Sequence, residues 1–471
     1  MSKDTQVKYV DLFAGIGGFA AALTALGAQC AQAVERDTSA ARVYEANWGH
    51  QALGNIVDND SPTKTVLVGP HDILTAGFPC QPFSKSGAQA GVLDKSRGTL
   101  FHNILTILRE LKYEDRPTLV ILENVRNLAG PKHKADLAVI KQSLRHLGYT
   151  VEEENLFISP HRIQRKFGGR PQNRDRIFIV GTKIPLELAG KPHKVSGYGE
   201  PIERYLSTLP KQVKEIANEY LIDVDPRLYW DATKDLKVVK ETSLEGHYLK
   251  KNEIELINTW DKFLQNLRKS GAQPPGFPLW TEYWESKAQI PKDCPKWKKI
   301  FIEKNSQFFR ENSVVCSQLL SELDAKNFVK SHRKFEWQAG DLSSVWDAVV
   351  HLRPSGVRVK KPNYFPALVA ITHVPILAFE KRRLSVKEAA FLQGFPKNFD
   401  FEDETEGQYY KQLGNAVNVA AVWVAVRSVV QRDAEILNKT ETGRKLINLI
   451  SSSPDSPDQF FRTWSPPKSL S

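Results

Sequence analysis

Apolar runs and helical patterns alternate over the first part of the chain. Apolar runs predict buried strands at residues 8–13, 30–34, 72–74, 118–122 and 177–180, and apolar positions at helical spacing predict helices over residues 20–26, 100–111 and 137–147. A glycine-rich turn separates the first strand from the first helix. This rhythm predicts an α/β protein with a doubly wound, Rossmann-like parallel sheet.

The alternation stops after Gly181. Between residues 185 and 379 prolines recur, tryptophans cluster, and basic residues lie among aromatic ones, which predicts a separate module of low regularity. This composition suits contact with nucleic acid, although a tryptophan-rich core explains it as well.

Two further helices are predicted after this module. Ser385 is the expected N-cap of the first, which ends at Gly394, and residues 412–430 form an apolar helix that is expected to be buried. The segment after Arg432 is polar, with serine and proline near its end, and is expected to be loosely held.

Bulk composition narrows the class of protein. The chain of 471 residues has a net charge of +11 and a pI of about 9.2, which favours a polyanionic partner, with solubility alone as the alternative. Its four cysteines form no CxxC pair and no HxxxH grouping occurs, so we expect no metal site and a reducing compartment. The amino terminus does not resemble a signal peptide, and no stretch was expected to span a bilayer. We therefore expect a cytoplasmic protein without a membrane partner.

Cys80 lies on a turn rich in glycine and proline, at residues 77–84, directly after a predicted strand. Strand ends of α/β proteins hold reacting groups, although a cysteine is more often a buried structural residue. Glu123 ends another predicted strand, where it is either a cap or a catalytic group. Because both residues would lie at one edge of the sheet, we interpret them as a catalytic pair. The polar, glycine-containing residues 85–98 predict a mobile lid.

The turn after the first strand has the spacing GxGG, at Gly15, Gly17 and Gly18, and the second strand ends at Glu35. Glycines allow a ligand to approach the backbone, and an acidic residue at this position holds ribose hydroxyls. Together they predict a nucleoside-containing cofactor. The alternatives are a turn that any α/β protein could have and an exposed carboxylate.

Two sets of basic residues are candidate contacts with nucleic acid. Arg174 and Arg176 precede a strand and point to the same face, where they form a solvated charge run or hold a phosphate or a base edge. A predicted loop contains Arg353, Arg358 and Lys360. Arginine suits guanine edges and lysine suits phosphates, so this loop is the candidate for reading a DNA groove.

These features together resemble the DNA (cytosine-5)-methyltransferases. The matching motifs are residues 11–19 (DLFAGIGGF), 77–84 (GFPCQPFS), 123–125 (ENV), 172–176 (QNRDR), 383–396 and 412–415 (QLGN), in the family's order. The resemblance implies an S-adenosylmethionine-dependent methyltransferase domain with an inserted, smaller target recognition domain. The corresponding segments are residues 1–184 for the catalytic domain, 185–400 for target recognition, 401–432 for a helix that returns to the catalytic domain, and 433–471 for a polar tail.

The resemblance also assigns roles to single residues. It implies that Cys80 is the nucleophile, that Glu123 protonates cytosine N3, that Arg176 holds the O2 atom of the base, and that Arg174 supports the active site. The contacts with DNA that it and the basic pattern imply are Ser84, Ser86 and Arg97 on the lid, and Arg353, Arg358 and Lys360.

The implied cofactor is S-adenosylmethionine, with no metal. The residues expected to line its pocket are Phe13, Ala14, Gly15, Ile16, Gly17, Gly18, Glu35, Arg36, Asn55, Ile56 and Asn415. Asn55 stands where the family usually has aspartate, and Arg36 stands where an aromatic or aliphatic side chain often covers the adenine.

The sequence thus predicts transfer of a methyl group to C5 of a flipped cytosine in a specific double-stranded DNA sequence, through a covalent adduct between Cys80 and C6. We expect a monomer that belongs to a restriction-modification system, with a cognate restriction endonuclease that acts on the same site. The alternatives are an RNA cytosine-5 methyltransferase, against which the long middle module argues, a catalytically silent DNA-binding regulator, and a nucleotide-dependent oxidoreductase.

Overall fold

The chain folds into two compact units. The computed structural model describes residues 6–57, 68–79, 99–194, 196–239, 244–285, 287, 290–370, 374–402 and 404–467. The first unit comprises Met1–Pro226, Pro366–Ala370 and Ala390–Ser471, and the second comprises Arg227–Phe365 and Ile371–Ala389.

Strands occur in both units. They are β1 (Lys8–Leu12), β2 (Gln29–Val34), β3 (Ala52–Leu53), β4 (Ile73–Ala76), β5 (Leu119–Val125), β6 (Leu156–Ile158), β7 (Gln172–Asn173), β8 (Arg176–Thr182), β9 (Leu279–Trp280), β10 (Lys334–Gln338), β11 (Val349–Arg353), β12 (Gly356–Lys360), β13 (Phe365–Pro366), β14 (Ile376–Leu377) and β15 (Arg382–Arg383). The five strands predicted from the sequence correspond to β1, β2, β4, β5 and β8, with small shifts at their ends.

Helices also occur in both units. They are α1 (Gly18–Leu26), α2 (Thr38–Trp48), α3 (Thr99–Glu110), α4 (Lys134–His146), α5 (Leu186–Ala189), α6 (Gly199–Thr208), α7 (Val213–Asn218), α8 (Pro226–Tyr229), α9 (Ala232–Asp235), α10 (Lys251–Lys269), α11 (Lys296–Glu311), α12 (Ser313–Ala325), α13 (Val386–Gln393), α14 (Glu406–Asn415), α15 (Val419–Arg432), α16 (Ala434–Leu437), α17 (Glu441–Ser452) and α18 (Pro457–Phe461). The three early helices that were predicted correspond to α1, α3 and α4.

The sheet of the first unit has the strand order β3-β2-β1-β4-β5-β8-β6. Neighbours from β3 to β5 pair in parallel, whereas β8 runs antiparallel to both β5 and β6. The order of the strands reverses between β1 and β4, which is the point where doubly wound sheets bind ligands outside the strand ends. The predicted doubly wound α/β fold is confirmed, with two antiparallel pairings at one side.

Helices cover this sheet because its strands are apolar on both faces. Leu12, Leu74 and Val120 point to one face, where they pack against Ile104 of α3 and Ile140 of α4. Strands that are buried on both faces read as continuous apolar runs, which is why the sequence located them well.

Residues 185–226 belong to the first unit, although the predicted boundary of the middle module was at residue 185. This segment forms α5, α6 and α7. Ile184, Ala189, Tyr198 and Ile202 form a small apolar cluster of their own. Because these helices are only 4 to 10 residues long, the sequence alone shows no reason to join them to the domain before them.

The second unit is regular, so the predicted low regularity is wrong. Its sheet has the order β15-β14-β11-β12-β10-β9, and its core contains Trp260 of α10 stacked on Phe335 of β10, with 4.5 Å between ring centroids. Trp260 and Trp284 are buried in this core, as expected if the tryptophans serve packing, whereas Trp297 is exposed. Ser385 caps α13 as predicted, because its Oγ accepts a hydrogen bond from the Glu388 main-chain nitrogen at 3.1 Å.

The apolar stretch predicted as one helix over residues 412–430 is two helices, α14 and α15. The second begins at Asn418, whose side chain accepts a hydrogen bond from the Ala421 nitrogen at 3.1 Å. By length and composition the stretch Glu406–Arg432 could cross a membrane, contrary to our expectation that no stretch could, but 89% of its most apolar window is buried inside the protein. It therefore serves as core of the first unit.

The C-terminal segment is folded against the first unit, so the prediction of a loosely held tail is wrong. Leu446 and Ile450 lie one helical turn apart on α17 and are buried. Arg170 donates through both terminal nitrogens to Asp458 of α18, at 3.0 and 2.5 Å. We predicted a loosely held tail from the serine and proline residues near the end of the chain and did not use the helical spacing of Leu446 and Ile450.

Replacing Leu446 by alanine tests whether this segment contributes to the core. Because Leu446 is fully buried, we expect the free energy of unfolding to fall by about 2–5 kcal/mol. Chemical denaturation followed by circular dichroism measures the change. Asn448→Ala on the exposed face of the same helix is the control, and equal stability of the two variants would mean that the segment is not packed.

Candidate active site

Four strand ends meet at one edge of the first unit's sheet. The paired positions that form a row across β2, β1, β4 and β5 are Val34, Leu12, Ala76 and Leu122. The next residues along each strand, Glu35, Phe13, Gly77 and Glu123, therefore lie side by side at the carboxyl edge. We expected the cysteine turn and Glu123 to share one edge of the sheet. Gly77, the first residue of that turn, does lie at the same edge as Glu123.

The chain that leads to Cys80 is tied to β5. Asn124 Nδ2 donates a hydrogen bond to the Phe78 carbonyl at 3.3 Å. A side chain at Gly77 would place its Cβ 3.8 Å from Glu123 Oε2 and 3.2 Å from Val417 Cγ2, so this position favours glycine. The nucleophile candidate Cys80 and the lid residues Ser84, Ser86 and Arg97 lie outside the described residues.

Two other cysteines are poor nucleophiles. Burial raises the pKa of the Cys30 thiol to about 11 and that of the Cys316 thiol to about 12. Since the thiolate is the nucleophile, neither can react readily at neutral pH.

Glu123 and Arg176 form an ion pair at the active-site edge. Arg176 begins β8 opposite the end of β5, and its Nε lies 2.8 Å from Glu123 Oε1. Glu123 is only 7% exposed, and this burial raises the pKa of its carboxyl group, whereas the charges of Arg176 and Arg174 oppose the rise. The arrangement holds a carboxyl group that can carry and release a proton beside a fixed positive charge.

Arg174 is buried and binds main-chain carbonyls. Its Nη1 donates to Leu368 at 2.8 Å, and its Nη2 donates to Gly414 and to Ala416, each at 2.9 Å. Gly414 and Ala416 lie at the end of α14, where helical carbonyls lack partners within the helix. Arg174 thus satisfies the end of α14, and this explains why the apolar stretch divides into two helices.

The glycine turn adopts left-handed backbone at several positions. Phe13 has φ 58°, Gly15 has φ 56° and Gly17 has φ 91°. Glu35 holds the turn, because its Oε2 accepts a hydrogen bond from the Gly15 nitrogen at 2.8 Å while its Oε1 accepts one from Asp37 at 2.7 Å. These two hydrogen bonds place the Glu35 carboxylate beside the glycine turn, and the cofactor site that the two features predict stays a prediction.

Trp48 packs against the glycine turn, and no sequence pattern predicted this contact. Its indole Nε1 donates to the Ile16 carbonyl at 3.1 Å, and a Cβ at Gly17 would lie 2.0 Å from that nitrogen. Trp464 from the C-terminal segment lies against Trp48 with 5.3 Å between ring centroids. These partners are far apart in sequence, so no local pattern connects them.

Asp11 lies beneath the turn and is fully buried. Burial raises the pKa of Asp11 to about 8, although a hydrogen bond from Thr75 Oγ1 at 2.9 Å opposes the rise. The carboxyl group is therefore largely protonated at neutral pH.

The remaining predicted cofactor residues lie around the same edge. The Ala14 main-chain nitrogen donates a hydrogen bond to the Val34 carbonyl, and Gly18 packs against the Val417 carbonyl. The side chains of Ile16 and Ile56 are buried. Asn55 is half-buried two residues after β3, whereas Arg36 and Asn415 are exposed. Across the ranges that the structure describes, no group of three or more His, Cys, Asp or Glu side chains is arranged to hold a metal ion.

In the second unit, the predicted reading loop is a β-hairpin. β11 and β12 pair in antiparallel fashion, with Arg353 opposite Gly356. Arg353 and Arg358 both form ion pairs with Glu336 of β10, each at 2.8 Å, and the Lys360 ammonium lies 5.0 Å from the centre of the Tyr364 ring. Alternating valines on β12 face the core, and this period of two could have predicted a strand where we expected a loop.

Alanine substitutions at two glycines test how the turn is supported. A Cβ at Gly15 would meet no described atom within 4 Å. Gly15→Ala should therefore lower the free energy of unfolding only by the strain of an alanine in left-handed backbone, about 1–2 kcal/mol. Gly17→Ala also collides with the buried Trp48 ring, which adds about 1–3 kcal/mol for overpacking. Denaturation midpoints of the two variants measure the difference, and a Gly17→Ala protein as stable as Gly15→Ala would contradict the support by Trp48.

Comparison with known proteins agrees with this geometry. The profile of the family described as C-5 cytosine-specific DNA methylase matches residues 7–431. The chain is 36% identical to the Type II methyltransferase M.AluI of Cellulosimicrobium cellulans, over 97% of this chain and 98% of that relative. It is 41% identical to the Type II methyltransferase M.HhaI of Haemophilus parahaemolyticus, over 39% of this chain and 51% of that relative.

Among solved structures, the S. pombe Dnmt2 methyltransferase aligns with a TM-score of 0.45 and 16% identity, over 90% of this chain and 99% of that one. The match of the family profile to most of the chain favours the methyltransferase prediction over the oxidoreductase alternative. The chain belongs to the C-5 cytosine-specific DNA methylase family and is a DNA cytosine-5 methyltransferase.

Proposed function

We propose that this enzyme methylates C5 of a cytosine flipped out of a specific double-stranded DNA sequence, with S-adenosylmethionine as methyl donor and no metal. The observation that carries the proposal is the Glu123 carboxyl group. It is buried, its pKa is raised, and it is paired with Arg176 at the sheet edge where the chain leads toward Cys80.

The chemistry explains why a thiol and a protonated carboxyl group are needed together. The C5 atom of cytosine is a weak nucleophile, and addition of the Cys80 sulfur to C6 makes C5 electron-rich. The electron pair displaced from the ring moves to N3, where Glu123 supplies a proton, while Arg176 holds O2. After methylation, C5 loses its proton to a base, the bond between Cys80 and C6 breaks as the double bond between C5 and C6 re-forms, and N3 returns its proton to Glu123.

Cys80 must react as a thiolate. Nearby positive charge lowers the pKa of a cysteine, and Arg176 provides such a charge at this edge. Its ion pair with Glu123 also fixes the guanidinium, so that one arginine supports both the nucleophile and the acid.

The glycine turn and Glu35 fit a nucleoside-containing donor. No described atom lies within 4 Å of a Cβ placed on Gly15, so a ligand could approach the backbone there. Each carboxylate oxygen of Glu35 accepts one hydrogen bond from the main chain at Gly15 or Asp37, which leaves lone pairs that could accept hydrogen bonds from ribose hydroxyls. S-adenosylmethionine, when bound there, supplies the methyl group as an electrophilic sulfonium. Phe13 and Asn415 are the proposed neighbours of its adenine and amino-acid ends.

The target cytosine must leave the helix because neither Cys80 nor Glu123 could reach C6 or N3 within a stacked duplex. Flipping costs a few kcal/mol, which contacts with phosphates offset. We assign these contacts to Ser84, Ser86 and Arg97 on the lid, and sequence reading to the hairpin residues of the second unit, Arg353, Arg358 and Lys360.

Relatives that match over 88% to 97% of this chain are named Type II methyltransferases. We therefore infer that this enzyme protects DNA in a restriction-modification system, at a site that a cognate endonuclease cuts. We propose that it acts in the cytoplasm as a monomer.

A DNA duplex with 5-fluorocytosine at the target position tests the covalent step. Fluorine cannot leave C5 as the proton does, so the wild-type enzyme should accumulate a methylated protein–DNA adduct that mass spectrometry detects. Cys80→Ser should form no adduct while it still binds DNA. Cys294→Ser, which changes a half-buried thiol of the second unit, is the matched control, and an adduct with Cys80→Ser would exclude the assigned nucleophile.

Glu123→Gln tests the acid. Gln cannot supply a proton to N3, so we expect single-turnover methyl transfer to slow by about 10²- to 10⁴-fold, with little change in S-adenosylmethionine affinity by calorimetry. Because the Glu123 carboxyl has a raised pKa and must be protonated to act, the wild-type rate should fall as pH rises through that pKa. This alkaline decline should disappear in Glu123→Gln. An unchanged decline, or a larger loss of cofactor binding than of rate, would contradict the role.

A further inference from the structure

A polar row crosses three strands of the second unit. Glu336 of β10 pairs in register with Arg358 of β12, and Arg358 pairs with His351 of β11. Residues paired across strands share one face of a sheet. The adjacent residues Phe335 and Val357 are buried in the core, so the row lies on the face away from that core.

Glu336 has used its full capacity to accept hydrogen bonds. Its Oε2 accepts from Arg358 Nε and from Arg353 Nη2, each at 2.8 Å. Its Oε1 accepts from Arg358 Nη2 at 3.0 Å and from the side-chain amide of Gln338. A carboxylate offers about four lone-pair positions, so Glu336 has none left for the amino group of a base. It can act only through the arginines that it holds.

Arg358 is held by one edge and leaves the other available. A guanidinium has five N–H groups, and Arg358 gives Glu336 two of them through Nε and Nη2. The remaining groups, on Nη1 and the second N–H of Nη2, form the fork that matches O6 and N7 of guanine. Arg353 gives Glu336 one bond, and its Nε is buried without a hydrogen-bond partner among the described residues. Arg358 is therefore better placed than Arg353 to bind the edge of a guanine.

The charge of the row suits DNA despite the carboxylate. Burial, with the charges of Lys360, Arg353 and Arg358, lowers the pKa of His351 to about 3, so His351 stays neutral. Arg353, Arg358 and Lys360 then outweigh the single negative charge of Glu336. The Glu336, Arg353 and Arg358 side chains are 17%, 28% and 32% exposed, so the row is partly accessible from solvent on this face.

We propose that Glu336 is a positioning residue that fixes Arg358 to read one guanine of the target sequence, an inference that rests on the proposed function above. A guanidinium fixed before DNA binds loses less conformational freedom on contact. It also cannot turn toward another base, so selectivity rather than overall affinity depends on Glu336.

The test measures methyl transfer from S-adenosylmethionine to a pool of DNA duplexes randomised around a cytosine, read by bisulfite sequencing. Glu336→Gln should lower the preference for guanine at one position by about 5- to 100-fold, with the other positions and the melting temperature unchanged. Arg358→Lys, which lacks the fork, should lose the same preference. Because the two residues act together, the double variant should lose no more than Arg358→Lys alone.

Asp341→Asn is the matched control, since it breaks another carboxylate ion pair of the same unit, with Lys361, and should keep wild-type selectivity. An unchanged sequence profile in Glu336→Gln, or an equal loss in every context, would overturn the inference and leave the proposed function standing. A wild-type enzyme that methylates no duplex would overturn both. Should Glu336→Gln not fold, Arg358→Lys and Arg353→Lys decide instead: equal loss of guanine preference in both would contradict the assignment to Arg358.

Discussion

The active-site edge depends on a buried guanidinium held by main-chain carbonyls. A buried charge costs several kcal/mol unless it is paired, and Arg174 meets this cost through carbonyls at the end of α14. The same bonds end that helix, after which Asn418 begins α15. The carbonyl of Val417 then lies so close to Gly18 that a Cβ there would be 2.2 Å away. One side chain of the QNRDR segment thus links the break between two helices to the fit of the glycine turn.

Three arginines show how the partner of a guanidinium decides what it can do. Arg174 is held by main-chain carbonyls, and its charge opposes the rise that burial causes in the pKa of Glu123. Arg176 is paired with the buried Glu123 carboxyl group, and its charge opposes the rise that burial causes in the pKa of that group. Arg358 shares a saturated carboxylate and keeps one edge for a ligand. Arg174 and Arg176 lie in one basic, polar segment, whereas Arg358 lies between Val357 and Val359. In neither context does the sequence show which partner the guanidinium binds.

The sequence predicted the first unit's sheet, and the edge at which its strands end, because both follow from local patterns. Continuous apolar runs locate β1, β4 and β5, and their shared direction brings Glu123 beside the turn before Cys80. Partners distant in sequence were not predictable: Trp48 with Trp464, Arg170 with Asp458, and Glu336 with Arg358 are joined only by the fold. The division of the last apolar helix was missed for the same reason, since Arg174 lies 240 residues from Gly414.

The most direct test of the account is transfer of labelled methyl groups from S-adenosylmethionine to unmethylated plasmid DNA, followed by bisulfite sequencing. The account predicts label at cytosine C5 in one repeated sequence context, and none when Cys80→Ser replaces the wild-type enzyme. No label in the presence of bound cofactor and bound DNA would contradict it, and label retained by Cys80→Ser would contradict the covalent mechanism at its centre.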